Sequence, residues 1–315
     1  MNLLKFGAID IGSNAVRLFI ANIIEDEHNT NSVITKSSMH RIPIRLGEDV
    51  FSTGEVGEIK SEKLLKTMQA FNLIMDVQQV KQYRACATSA LREARNSAQI
   101  INEIYKSTGI KIEIISSQEE AHLLYRCRKL DEFKNEYNYI SIDLGGGSME
   151  FTLFNLKDTI DSNSFKVGTI RMLNGLVEDS EIENLKAWLC DKVQKNKHIR
   201  LIGSGGNMNK LFKLAQVKKG KPLSYKKLKN LLKFLSSYDY DDRMKVVELN
   251  PDRADVIIPA AQLFLKIMEW SGIKEIYVPM VGLVDGIVAD EYIKYRTKLR
   301  GIPFTEPVDL MIDNS

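Results

Sequence analysis

One small device occurs twice in this sequence: an apolar strand running into an aspartate, a turn of glycine and serine, and a second apolar strand. It reads Phe6-Gly7-Ala8-Ile9-Asp10-Ile11-Gly12-Ser13 near the start and Tyr139-Ile140-Ser141-Ile142-Asp143-Leu144-Gly145-Gly146-Gly147-Ser148 near the middle. Apolar residues give each strand buried faces, and the small residues of the turn allow backbone N–H groups to converge on an anion. The aspartate at the strand end adds a hard oxygen ligand suited to Mg²⁺ or a metal-bound water. Two such loops in one chain imply two similar domains facing a shared cleft, holding a polyphosphorylated molecule from both sides. Neither loop has the Walker or Rossmann spacing.

Size and composition agree with two domains. A chain of 315 residues exceeds what one core usually serves. Hydrophobic residues at 44% with 27% charged residues are ordinary for a globular chain. The net charge of +3 gives no global case for nucleic acid. Asp10 interrupts the first apolar run, which argues against a signal peptide, and no uninterrupted apolar stretch reaches the roughly 20 residues of a membrane span. Cys86, Cys127 and Cys190 have no paired spacing, and His28, His40, His122 and His198 are too scattered for a histidine metal site. The expectation is a cytoplasmic protein, with no nucleic acid and no membrane among its partners. The oligomeric state, a homodimer included, is left open.

Strands and helices alternate along the chain. Residues 33 to 46 read as strand, and Leu64, Met68, Phe71 and Met75 recur at the spacing of an amphipathic helix. Strand is expected again over 80 to 87, helix over 88 to 107, strand over 110 to 115 and helix over 117 to 129. Helical patterns dominate after 179. Strands near 199 to 203 and 274 to 278 lead into the turns Gly203-Ser204-Gly205-Gly206-Asn207 and Val281-Gly282-Leu283-Val284-Asp285-Gly286. Each turn opens a helix whose N-terminus favours negative ligands.

Five motifs taken in order carry a family resemblance. Asp-Ile-Gly-Ser-Asn (10 to 14), Thr-Ser-Ala-Leu-Arg-Glu-Ala (88 to 94), Ile-Ser-Ser-Gln-Glu-Glu-Ala (115 to 121), Asp-Leu-Gly-Gly-Gly-Ser-Met-Glu (143 to 150) and Gly-Ser-Gly-Gly-Asn (203 to 207) resemble the exopolyphosphatase and guanosine pentaphosphate phosphatase (Ppx/GppA) family. The resemblance implies an α/β fold of two actin-like domains, of the ribonuclease H-like, sugar kinase/Hsp70/actin superfamily, with an interdomain cleft. On that basis the N-terminal domain is expected over 1 to 122 and the C-terminal domain over 123 to 298, with a helix at about 299 to 315 packing back on the first. The implied activity is Mg²⁺-assisted hydrolysis of a terminal phosphoanhydride. Substrates of such enzymes are inorganic polyphosphate or the guanosine pentaphosphate pppGpp. The expectation is the short, two-domain form, without the C-terminal helical domain that larger members append.

Hydrolysing a phosphoanhydride needs an in-line water, neutralisation of charge on the transferred phosphoryl group, and a group that orients or deprotonates the water. Glu120 matches the family's general base. Locally, Ser116-x-x-Glu119 and Ser117-x-x-Glu120 both read as capping boxes. Only one box forms at one helix start, and the family position selects Glu120 as the glutamate left over. Asp143 and Glu150 flank the second loop so that both carboxylates reach one side if the turn is tight, as a pair holding metal or water. A turn-capping aspartate and a strand-edge glutamate are the alternative. Asp10 is the pseudo-symmetric partner of Asp143. Oxygen ligands without histidine or thiolate favour Mg²⁺, or Mn²⁺, over zinc.

Phosphates would lie on the backbone of Gly12, Ser13, Asn14, Gly145, Gly146, Gly147 and Ser148, unless the triple glycine serves only a sharp turn. Arg92 matches the family's phosphate-binding arginine, although alone it reads as a solvated helix residue. Arg17, on the strand leaving the first loop, is placed at the mouth of the cleft. Lys218, Lys219, Lys221, Lys226, Lys227, Lys229 and Lys233 form a basic run that reads as the wet side of a helix or as a steering surface for a polyanion. Ala15, Met149 and Asn207 depart from the family pattern in these loops. Two further readings stay open: an ATP-dependent kinase or ATPase of the same fold, and a non-catalytic binder of polyphosphate or alarmone.

Overall fold

The computed structural model describes residues 2–25, 32–126, 134, 136–155 and 159–300. The chain forms two compact units, one of Met1–Glu132 with Gly282–Ser315 and one of Phe133–Val281. The boundaries expected at 122/123 and 298/299 differ from these at both ends.

The first unit opens with β1 (Asn2–Ile11), β2 (Val16–Glu25) and β3 (Ser32–Ile42), then α1 (Leu46–Thr53), α2 (Glu58–Val77), β4 (Gln82–Ala87), α3 (Ser89–Glu93), α4 (Ser97–Thr108), β5 (Ile112–Ile114) and α5 (Ser117–Arg126). Its sheet runs β3-β2-β1-β4-β5, with the first three strands antiparallel and the last two parallel to β1. β1 is central and is buried continuously from Phe6 to Ile11, as a strand covered on both faces must be. Leu64, Met68, Phe71 and Met75 form the buried stripe of α2, each contributing roughly 1.5–3 kcal/mol of burial.

Two expected elements are broken, each by a nameable residue. The strand expected over 33 to 46 stops at Ile42, because Pro43 has no N–H for the ladder. The chain then turns through Arg45, at φ 60°, into α1, whose Leu46 and Val50 are buried one helical turn apart. The helix expected over 88 to 107 is two helices. Asn96 sits at the break, where its side chain accepts from Val56 N at 3.0 Å and donates to Val56 O at 2.8 Å.

The second unit contains β6 (Asn138–Leu144), β7 (Met149–Phe154), β8 (Thr159–Phe165), α6 (Thr169–Leu173), α7 (Asp179–Lys195), β9 (Ile199–Ser204), α8 (Gly205–Leu214), β10 (Leu223–Ser224), α9 (Tyr225–Ser236), α10 (Tyr240–Lys245), α11 (Pro251–Ala254), α12 (Ile257–Ser271) and β11 (Glu275–Tyr277). Its sheet order is β10-β11-β9-β6-β7-β8. Read as β8-β7-β6-β9-β11, it repeats the order and strand directions of the first sheet, with β10 added at the edge. The duplicated α/β architecture is thus visible within each unit separately. The apolar helix α12 buries Leu263, Phe264, Ile267 and Met268 in this unit's core.

The last helix, α13 (Leu283–Arg300), returns to the first unit. Phe6 meets Tyr292 and Tyr295 edge-on at 5.9 and 5.5 Å, and Tyr292 donates to the buried Glu25 at 2.8 Å. Gln82 Nε2 donates to Glu291 at 2.7 Å. A Cβ on Gly286 would stand 2.1 Å from Leu123 O, so only glycine lets α13 cross α5 this closely. These contacts place 283 to 298 with the first sheet and not the second. The helix expected at 299 to 315 lies beyond Arg300 outside the described residues, as do Cys127 and His28.

Candidate active site

In the second unit the tight turn between β6 and β7 sets Asp143 directly opposite Glu150 in the antiparallel ladder. Residues paired this way project to one face of the sheet. Their carboxylates offer ligand atoms within 4.8 Å of each other. Glu150 Oε1 accepts from Ser148 Oγ at 2.5 Å and from Ser164 Oγ at 3.3 Å, so its orientation is fixed from both sides. Asp143 is backed by the start of α8. Gly205 has φ +88°, and a Cβ there would stand 2.5 Å from Asp143 Oδ1. Like charges directly opposite on a sheet are destabilising unless something compensates them. Two oxygen ligands held this way fit a hard divalent cation.

The loop between them closes with Gly145 N donating to Ser148 O at 3.0 Å. Gly145, Gly146 and Gly147 all avoid positive φ, so left-handed backbone is not why they are glycines. Close approach is visible instead at the segment packed against this loop. A Cβ on Gly168, just before α6, would stand 2.3 Å from Gly146 O.

In the first unit the corresponding turn closes in the same way, with Gly12 N donating to Ala15 O at 3.2 Å. Asp10 stands opposite Arg17 in the ladder, and the two form an ion pair at 2.5 Å. Ser13 is buried, and its hydroxyl meets that of Ser89 at 2.8 Å. The carbonyls of Ser13 and Asn14 accept from Gly47 N and Arg45 N at 2.9 and 3.0 Å. At the start of α5, Ser116 Oγ accepts from Glu119 N at 3.1 Å, while the Glu119 carboxylate goes to Arg84 at 2.5 Å. Glu120 instead turns to Arg92, whose Nη1 is 3.8 Å from its carboxylate and donates to Ile115 O at 2.8 Å.

Residues 24–294 match the Ppx/GppA phosphatase family. The chain belongs to it. Among curated relatives, the bifunctional 3-dehydroquinate synthase/phosphatase of Fusobacterium nucleatum is 28% identical over 84% of this chain, which spans 43% of that protein. Exopolyphosphatase 1 of Mycobacterium tuberculosis is 23% identical over 90% of the chain and 87% of its own length. The crystal structure of an exopolyphosphatase from Cytophaga hutchinsonii superposes with a TM-score of 0.76 at 22% identity, covering 95% of this chain and 98% of that one. The Ppx/GppA protein of Aquifex aeolicus gives 0.72, also at 22% identity, over 93% and 99%. At such identities the structural likeness speaks for the fold.

For a Ppx/GppA protein the sequence-derived residues fall into local groups. Asp143, Glu150, Ser148 and the triple glycine share one loop, and Glu120 pairs with Arg92. Arg17 pairs with Asp10 within the sheet. Of the basic run, Lys226, Lys227, Lys229 and Lys233 lie on the exposed side of α9, opposite buried Leu228, Leu231 and Leu235, while Lys218, Lys219 and Lys221 are exposed in the turn before β10. Cys86 is buried beside β1, and burial pushes its thiol up to about 12, which leaves it inert at neutral pH. No described helix is long and apolar enough to cross a membrane. Sequence reasoning missed Ser89, Ser164 and Arg171, which brace the loops from distant segments. Only the glycine at 168 marks one of these braces in the sequence.

Proposed function

We propose that this Ppx/GppA protein hydrolyses the terminal phosphoanhydride of inorganic polyphosphate, with pppGpp, converted to ppGpp, as second substrate. The observation that carries the reading is the Asp143–Glu150 pair: two carboxylates opposite one another beside a glycine loop, in a chain of a phosphatase family. Asp143 and Glu150 hold Mg²⁺, or Mn²⁺ in its place. The ion, when bound, neutralises charge on the phosphoryl oxygens. The N–H groups of both loops, with Arg92, bind phosphate oxygens. Glu120 is the general base, so Glu120, Asp143 and Glu150 serve one reaction. Its carboxylate takes a proton from water as the water oxygen bonds to the terminal phosphorus in line with the bridging oxygen. The bridging P–O bond breaks, releasing inorganic phosphate and a chain one unit shorter. Arg92, 3.8 Å from Glu120, keeps that carboxylate turned from the capping position. The isolated thiols suit the reducing cytoplasm.

The test is phosphate release with Mg²⁺ from long-chain polyphosphate, pppGpp and ATP in parallel. Release from polyphosphate or pppGpp but not ATP is expected, and their ratio names the preferred substrate. Turnover of ATP alone would replace this reading with a kinase or ATPase of the same fold.

A further inference from the structure

Three successive carbonyls of the second loop are taken by one short element. Thr169 N donates to Gly145 O at 3.0 Å, Ile170 N to Gly146 O at 2.8 Å, and Arg171 Nε to Gly147 O at 2.8 Å. The first two donors are backbone; the third is a guanidinium on a helix of five residues. Arg171 is only 7% exposed. Burying that charge is costly unless it is put to use. The equivalent carbonyl of the first loop, on Asn14, is held by the backbone N–H of Arg45. The second unit therefore spends a buried arginine where the first needs none.

A planar trans peptide points its C=O and N–H to opposite sides. Tying the carbonyls of Gly145, Gly146 and Gly147 toward α6 thus turns the N–H groups of Gly146, Gly147 and Ser148 the other way, as a convergent set. We propose that Arg171 is a positioning residue for phosphate binding. It locks the Gly147–Ser148 peptide so that these three N–H groups present one face to a phosphate, and it places positive charge behind the loop. The proposal rests on the reading of this loop as a phosphate cradle.

The experiment is calorimetric titration of inorganic tripolyphosphate into the full chain in metal-free buffer, for wild type and Arg171→Ala, with and without millimolar guanidinium chloride. Phosphate release with Mg²⁺ is measured alongside. Arg171→Ala is expected to weaken tripolyphosphate binding about tenfold and to raise KM more than it lowers kcat. Guanidinium restores affinity to the variant and leaves wild type unchanged. Should Arg171→Ala not fold, Arg171→Gln keeps a donor without the charge, and an intermediate loss is expected. Affinity equal to wild type in whichever variant folds, a loss that guanidinium does not relieve in Arg171→Ala, or a wild type that does not bind tripolyphosphate overturns the proposal. A wild type that binds but releases no phosphate, with binding lost in Arg171→Ala and regained with guanidinium, sinks the hydrolase reading and leaves Arg171 standing.

Discussion

The two strand-turn-strand loops are close copies in backbone and opposites in charge. Each closes with a glycine N–H on a carbonyl three residues ahead, and each sets its aspartate against the residue seven positions on. In the first loop that residue is Arg17, and the pair satisfies itself. In the second it is Glu150, held by the hydroxyls of Ser148 and Ser164, so that two carboxylates face one another. Ala15 and Ser148 occupy the same place in the two turns, and only Ser148 supplies a hydroxyl, which it gives to Glu150. The two loops thus set opposite charges against each other in one unit and like charges in the other. Like charges directly opposite one another are the arrangement that a cation relieves.

The comparison can be broken by moving the charge. Glu150→Arg gives the second loop the pairing of the first. The variant should fold at least as well as wild type, since opposite charges across a ladder are favourable, and it should lose phosphate release on the order of 10³-fold or more. Mg²⁺-dependent activity near the wild-type level would show that the pair does not hold the ion. A smaller effect is expected at Glu120, which lies outside both loops. Glu120→Gln should lower kcat by roughly 10² to 10³ with little change in substrate affinity, because the amide keeps the shape and loses the basicity. A variant as fast as wild type removes Glu120 from the chemistry. In the first loop, Arg17→Ala leaves Asp10 buried without its ion pair. The cost should appear as about 2 kcal/mol of unfolding free energy, reduced by the partial exposure of Arg17. Activity should change less than stability, and the opposite ranking would make Asp10 a functional group in its own right.

What the sequence made legible was whatever is set by local pattern. The Asp143–Glu150 pairing follows from the length of one tight turn, and the capping competition at Ser116 and Ser117 follows from spacing alone. Structure resolves that competition in favour of Ser116 and Glu119. Helices α1 and α6 gave no sign of themselves, because eight and five residues are too few for a periodic apolar signal. Arg171 could not be read as a brace, since its partner is 24 residues away and the contact exists only after α6 docks. The same limit applies to α13. An apolar stripe announces that a face will be buried, but not against which sheet, and the choice of the first unit depends on Phe6 and Glu25 meeting Tyr292, and on Leu123 meeting Gly286, in space.

A second comparison lies in the helices that follow the last parallel strand of each sheet, α5 after β5 and α13 after β11. Both carry an acid in the first turn. In α5 the hydroxyl of Ser116 does the capping, and the Glu120 carboxylate lies 3.8 Å from Arg92. In α13 no serine is available, and Asp285 itself accepts from Gly282 N at 2.7 Å. Burial raises the Asp285 carboxyl to about 6, against the opposing pull of the Gly282 and Asp285 N–H groups and of Lys36. A raised acid binds its proton more tightly in the folded than in the unfolded chain, so stability from this group is fullest below the ordinary aspartate value near 4 and falls as pH rises toward 6. Above that window the ionised carboxylate is a fixed cost. Asp285→Asn retains an acceptor for Gly282 without the charge. It should be no more stable than wild type at pH 4 but gain about 1 kcal/mol at neutral pH, after subtracting the weaker neutral hydrogen bond. Urea unfolding of both proteins across that range checks the sign. A variant uniformly less stable at every pH would mean that the charged cap outweighs its burial, making Asp285 a stronger brace for α13 than Ser116 is for α5.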